Sequence, residues 1–332
     1  MLQKKYTMVI LAILCTLFFG GMVIAQEETI PQEKIRLQCD WVKGKAYQYK
    51  MTQELFIAME IPGMPEPQET IMKQVLTFSQ EVKEVNDRGI ATIEFKHETI
   101  QAEVDNPMMG KTSFDSTKEE DHKSVEMDPR LAIYAFYLKI IGKPITMKMD
   151  PQGKIIEVKG LTEMMQDIVK ENPALETFKD MFTDDYFKNM LQQCFVLLPE
   201  EPVGEGDSWE NPFELPILSV GTCKGTGTFT YQGKQTIGQR ECAKIDQTAI
   251  MTFSVAPNSP LGMIPDMKLE VGKGTGTIYF GFEEGITVKS KVEMEMTGIM
   301  TMPGMTDEET GEPATMELQM KIKGIISMEL ID

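Results

Sequence analysis

The feature that most constrains this chain is a period-two alternation of apolar and polar side chains, sustained over long stretches towards both ends. Between Met51 and Ile61 the odd positions Met51, Leu55, Ile57, Met59 and Ile61 are apolar, with Gln53 the one interruption. Successive side chains of a strand point to opposite faces, so this pattern predicts long half-buried antiparallel strands. Residues 70–84 and 89–104 continue it, joined by Asn86-Asp87-Arg88-Gly89, a cluster that supplies the positive-φ position of a hairpin. The pattern returns at 222–232, 240–256, 267–282, 285–302 and 315–331, with turn signals at Glu283-Glu284-Gly285 and in the loop 303–314.

The middle of the chain changes period. Asp128-Pro129 reads as an N-cap followed by proline at the first helical position, and Leu131 to Ile141 is apolar nearly all round, the mark of a buried helix. Ile145–Met149 and Lys154–Val158 form a hairpin over Asp150-Pro151-Gln152-Gly153. Helices are expected at about 161–171 and 174–196, broken at Pro173. The whole predicts an α+β fold: a large curved antiparallel sheet, either a half-barrel or two related lobes (about 35–127 and 221–332), with a helical block, 128–196, against one face. A short echo, Met59-Glu60-Ile61-Pro62-Gly63-Met64 against Met300-Thr301-Met302-Pro303-Gly304-Met305, fits the two-lobed version.

The first residues carry a different signal. Lys4 and Lys5 precede an uncharged run from Met8 to Val23, and Val23-Ile24-Ala25 has the small-residue pattern of a signal-peptidase site. The expectation is a signal peptide, 1–25, cleaved between Ala25 and Gln26, leaving a periplasmic or secreted domain, 26–332, that does not span the membrane. Cys15 follows Leu14 and so lacks the small residue a lipidation site needs. The formal charge of −18 repels phosphates and anionic headgroups, which argues against a nucleic-acid partner. Cys39, Cys194, Cys223 and Cys242 would face an oxidising compartment. A Cys223–Cys242 disulfide is expected, since both lie on neighbouring predicted strands; buried free thiols are the alternative.

Gly142-Lys143-Pro144, Asp150-Pro151-Gln152-Gly153-Lys154-Ile155, Val158-Lys159-Gly160-Leu161, Leu198-Pro199, Pro202-Val203 and Gly206-Asp207-Ser208-Trp209 follow one another across 142–209. This order resembles an uncharacterised family of bacterial exported proteins, a domain of unknown function. The resemblance implies a large antiparallel sheet with helices on one side, similar to lipoprotein-carrier (LolA/LolB-like) half-barrels and mycobacterial lipid-binding lipoproteins, and it carries no catalytic residues. Read from the residues themselves, Gly206-Asp207-Ser208-Trp209 is a turn that starts a strand and anchors it with a buried tryptophan.

For chemistry the sequence offers little. His97 lies on a strand beside Phe95 and His122 in the charged loop 118–123, neither with a second histidine or a cysteine nearby. No nucleophile elbow, zinc-protease, Walker or dinucleotide fingerprint occurs, and no cofactor is expected. Lys224-Gly225-Thr226-Gly227-Thr228 and Lys273-Gly274-Thr275-Gly276-Thr277 repeat one another and read as matched strand starts. Asp184-Asp185 is expected to cap a helix.

Methionine is the anomaly, with 27 residues. Met294, Met296, Met300 and Met302 share one strand face, and Met316, Leu318, Met320, Ile322, Ile326, Met328 and Leu330 another. Such faces are ordinary core, or a deformable groove for lipid or hydrophobic peptide, or a thioether site for Cu(I). The leading expectation is a non-enzymatic exported protein holding a hydrophobic ligand in that groove. The alternatives are a ligand-free structural or interaction module of the cell envelope with an unidentified protein partner, and then Cu(I) binding.

Overall fold

The computed structural model describes residues 33–107, 110–171, 176, 183–192, 195–217, 221–255, 266–269, 271–306 and 313–331. The expected leader with its Ala25/Gln26 junction, Cys15, Cys194 and the first part of the expected helix at 174–196 lie outside the described residues. Residues Lys34–Asp332 cluster as one compact unit.

Alternation does produce strands. In chain order they are β1 (Ala46–Glu60), β2 (Gln68–Val85), β3 (Ala91–Asn106), β4 (Gly110–Asp115), β5 (Ile145–Met149), β6 (Ile155–Lys159), β7 (Ser208–Ile217), β8 (Gly221–Ile237), β9 (Arg240–Val255), β10 (Asp266–Leu269), β11 (Gly272–Gly281), β12 (Ile286–Thr306) and β13 (Pro313–Leu330). All pairings are antiparallel, and the strands form one sheet in the order β6-β5-β3-β2-β1-β13-β12-β11-β9-β8-β7, with β4 added to β3 and β10 to β12. The first long strand therefore pairs with the last, Met51 opposite Met328. That joint merges the two expected lobes into a single sheet.

The turns follow local chemistry. Asn86 Oδ1 accepts the N–H groups of Arg88 (2.9 Å) and Ile90 (3.0 Å), and Gly89 takes φ +74°. Asp150 does the same for Gln152 (3.0 Å) and Lys154 (2.8 Å), with Gly153 at φ +81°. Register shifts at Thr77/Phe78, Val82/Glu84, Tyr231/Lys234 and Tyr279/Phe280 mark bulges, which bend and twist a sheet locally.

Four helices lie among the described residues: α1 (Glu119–Met127), α2 (Ala132–Ile140), α3 (Leu161–Glu171) and α4 (Asp184–Gln192). Phe136 and Ile140 of α2, Leu161, Met165 and Ile168 of α3, and Phe187 and Leu191 of α4 bury one stripe each. Together with Tyr49, Phe78, Ile93, Phe95, Ile145 and Met147 from the strands they form the main core. Burial of such a side chain contributes roughly 1.5–3 kcal/mol, so this cluster holds the helices to the sheet.

Three expectations need correction. The charged loop expected at 118–123 is instead the start of α1: Glu119, Glu120 and Asp121 fill its first turn, where the helix dipole favours acids, and His122 donates through Nε2 to Ser116 O (2.8 Å). The helix expected to reach 196 ends at Gln192, because 195–203 serves as an extended strap. The Cys223–Cys242 bridge does not form. Cys223 lies opposite Phe253 while Cys242 lies opposite Gln235 on the same pair of strands, a separation of roughly 40 Å along β8, against a limit of about 7 Å for a disulfide.

The sheet stays open, and its two ends meet a common element. β6 and β7, at opposite ends of the strand order, both contact α4. Gln192, at the end of α4, accepts the Ile155 N–H (2.7 Å) and donates to Gly153 O (3.1 Å), covering the free edge of β6. The strap continues the closure: Leu198 N–H donates to Gln152 O (2.9 Å), and Leu197 O accepts from Trp209 Nε1 (2.7 Å) and Asn211 Nδ2 (2.8 Å) on β7. A second strap, Ile35 paired with Val203, lies beside it.

Candidate functional site

The inner face of the sheet is not filled evenly. The helices cover the β1–β3 and β5–β6 half, while the straps cover Phe229, Tyr231, Ile245, Ile278 and Phe280 on the other half. Beyond the straps the register builds a row with almost no side chains: Gly227 opposite Ala249, Ala249 opposite Gly274, Gly274 opposite Met294, and Met294 opposite Gly324. The next row sets Gly225 and Gly272 on either side of Met251, and Met296 reaches over Gly272, its Cε 2.9 Å from where a β-carbon there would stand. Glycine at alternate positions of two strands removes the inward side chains that would fill this part of a sheet. What remains is a cavity of about 200 Å³.

Its walls are Met51, Met251, Met294 and Met328, with Phe195 and Val196 of the strap, Phe213, Phe229, Ile278, Val292 and Ile326. Among the described residues lining it there is no Lys, Arg, Asp or Glu. The polar groups are neutral: Gln192 and Asn211 are engaged with the strap and the β6 edge, and Gln247, Thr287 and Ser290 come from the sheet. Cys223 also lines it, its thiol pushed up by burial. Such a lining presents shape and apolar surface.

The methionines predicted from sequence scatter around this cavity. Met294 lines it, and Met296 packs beside it against Cys223, Ala249 and Met251. Leu318 and Met320 are buried further along β13, outside the cavity wall. Met300 and Met302 face Leu318 and Met316 in register, and the side chains of Met300, Met302 and Met316 lie outside the description. Met328 and Ile326, on the same β13 face as Leu318 and Met320, line the cavity, while Met51 and Met251 were missed because strand order decides which faces converge. The Gly-Thr-Gly repeats were the available signal: they lie on β8 and β11, on either side of β9.

The other marked residues lie elsewhere. His97 is buried among Phe95, Tyr137 and Phe187, without a hydrogen-bond partner on Nδ1 among the described residues, and burial lowers its pKa to about 4. Trp209, the second residue of β7, follows the turn as expected but is half-buried rather than buried; it stacks on Phe229 at 5.7 Å and bonds the strap. No group of three or more His, Cys, Asp or Glu able to hold a metal ion occurs among the described residues, and no described helix is long and apolar enough to cross a membrane.

Fold and site together define an open antiparallel half-barrel of α+β class, closed across its gap by a helix and a strap, with a neutral apolar cavity on its inner face. The chain belongs to a family of unknown function, DUF6263, whose model matches residues 88–287. Among curated proteins none matches it in sequence. Similar solved structures include lipovitellin, described for its lipid–protein interactions, at 11% identity and a TM-score of 0.42, covering 88% of this chain and 25% of that one. This chain thus spans about a quarter of lipovitellin's length. DynF from Micromonospora chersina (9% identity, TM-score 0.19, 92% of each chain) and a DUF1329 family protein from Desulfovibrio piger (7%, 0.11, 83% of each chain) are more distant. At these scores the likenesses decide neither fold nor ligand.

Proposed function

We propose that this protein is an exported, non-catalytic binder of a neutral hydrophobic ligand. The observation that carries the reading is the cavity of about 200 Å³ walled by four methionines and floored by glycine. An apolar cavity of about 150 Å³ stays dry and takes up benzene, whereas pockets for drug-sized ligands start near 300 Å³. The size therefore fits a ring or a short acyl chain, or one tail of a larger lipid. Methionine suits such a wall, because its unbranched, polarisable side chain adapts to ligands of varied shape. Export rests on the amino-terminal sequence pattern, and intact mass of protein taken from the periplasm of an expressing bacterium tests removal of residues 1–25.

Methyl-labelled methionine provides the test of binding. On titration with n-octane, the NMR signals of Met51, Met251, Met294 and Met328 are expected to shift together, while Met127, 76% exposed on α1, stays put. Unmoved cavity signals at saturating octane would sink the reading and leave an envelope interaction module, whose partner cross-linking would have to find.

A further inference from the structure

A second, much smaller chamber adjoins the cavity. It measures about 20 Å³, enough for one oxygen atom with its attached group, and shares Phe195, Val196 and Thr287 with the larger cavity as common wall. Trp41, Tyr49 and Gln80 line it too. Two buried donors belong to these residues: Trp41 Nε1 and Gln80 Nε2 have no hydrogen-bond partner among the described residues. Gln80 is only 1% exposed, on the inner face of β2 between Phe78 and Val82. A buried donor left unsatisfied costs about 1–3 kcal/mol, so two of them beside one apolar cavity call for an acceptor.

The charge of that acceptor follows from its surroundings. No Lys or Arg lines the chamber among the described residues. Burial, then the carboxylates of Asp150 and Asp40, push the Cys39 thiol well above its ordinary range, so the local field opposes a further negative charge. An ionised carboxylate would enter without a counter-charge, at a desolvation cost that two neutral N–H groups do not offset. A carbonyl oxygen carries no such cost.

We propose that the ligand is an amphiphile with an uncharged acyl-type head, an ester, amide or ketone, whose carbonyl oxygen accepts hydrogen bonds from Trp41 and Gln80 while its tail fills the methionine-walled cavity. This rests on the hydrophobic-binder reading and deepens it.

The chain has two tryptophans, which makes the test direct. Trp209 Nε1 already donates to Leu197 O and serves as the internal reference; Trp41 Nε1 is the free one. In a ¹H–¹⁵N spectrum, 2-octanone is expected to move the Trp41 indole signal downfield, whereas n-octane leaves it in place. Octanone should bind about tenfold more tightly than octane, the worth of one to two neutral hydrogen bonds, and octanoate at pH 7 more weakly than octanone. Trp41→Phe and Gln80→Leu, which keep the apolar bulk, should each remove about threefold of that tenfold gain and leave octane affinity unchanged. Equal binding of octane and octanone, or tighter octanone binding with a stationary Trp41 signal, overturns the head-group proposal while the binder reading stands: water then serves the two N–H groups. Binding of neither probe overturns both.

Discussion

Asp184 and Thr162 cap each other's helices. Asp184 is the first residue of α4, yet its Oδ1 accepts the N–H groups of Leu161 (2.8 Å) and Thr162 (3.2 Å) at the start of α3, and Thr162 Oγ1 accepts the Asp184 N–H (2.9 Å). Thr183 is left to cap α4 itself, its Oγ1 accepting the Tyr186 N–H (3.1 Å). Orphan donors of both helices are thus satisfied by one exchange. Asp184→Ala is expected to cost about 1–2 kcal/mol and Thr162→Val about half as much. The two substitutions remove different hydrogen bonds, but each helix start is held in place by the other, so the double variant should cost less than the two together. Urea midpoints with an unchanged m-value check this; strict additivity would show that the residues act separately.

His97 sets a pH window for stability. Burial among Phe95, Tyr137 and Phe187 holds its pKa at about 4 in the folded chain, against about 6.5 when unfolded. Between these values the unfolded state binds the extra proton, so stability is full above about 6.5 and falls as pH drops towards 4. From pH 7 to pH 5 the loss from this residue is about 2 kcal/mol. Carboxylates such as Asp128, held down by its hydrogen bonds to Arg130, contribute their losses at lower pH. His97→Phe, which keeps a ring in an aromatic nest, should flatten the pH 5–7 part of the curve. An equal slope in both proteins would mean another group titrates there.

Cys39, Cys223 and Cys242 should react slowly with an aromatic disulfide reagent in the native protein and rapidly once unfolded. All three are buried and unpaired, and burial is the leading cause that raises each thiol. Cys223 lines the cavity, so n-octane should slow its residual reaction further and leave Cys39 unaffected. A mass two protons short, with a peptide linking 223 to 242, would contradict the strand register.

What could be read in the sequence was local. Asn86 and Asp150 announce turns because a short side chain two and four residues before the amides it binds is a nearest-neighbour property. The alternation at Met51–Met59 and at Met316–Leu330 identifies two strands but not that they pair with each other, since closing Tyr49 onto Leu330 depends on every strand between. Register fails for a related reason. Alternation names β8 and β9 as neighbours but not their offset or the face of each cysteine; the hairpin sets Cys223 opposite Phe253 and Cys242 opposite Gln235. The cavity was hidden because its defining residues are the ones without side chains: Gly227 and Gly274 show no hydrophobic pattern at all. The Asp184 cap reached across to another helix, which a reading confined to its own segment assigns to the wrong one.

The cavity itself predicts one substitution sharply. Ala249 is buried in the row between Gly227 and Gly274, with its side chain among the cavity walls. Adding three carbons to a well-packed core ordinarily costs about 1–3 kcal/mol through strain. Here the added atoms have about 200 Å³ to enter, so Ala249→Leu should change stability by less than about 1 kcal/mol and regain part of any loss through new contacts. Ligand binding should respond in the opposite sense, octane affinity falling at least tenfold as the same space is taken. Ile250, its neighbour on β9, is 62% exposed on the other face, and Ile250→Gln is the control that should leave both quantities near their starting values. Calorimetric melting and the methionine-methyl titration measure the two effects on the same samples. A loss above about 3 kcal/mol for Ala249→Leu would mean that the space is filled in solution, and a stable variant that binds octane unchanged would place the ligand elsewhere on the sheet.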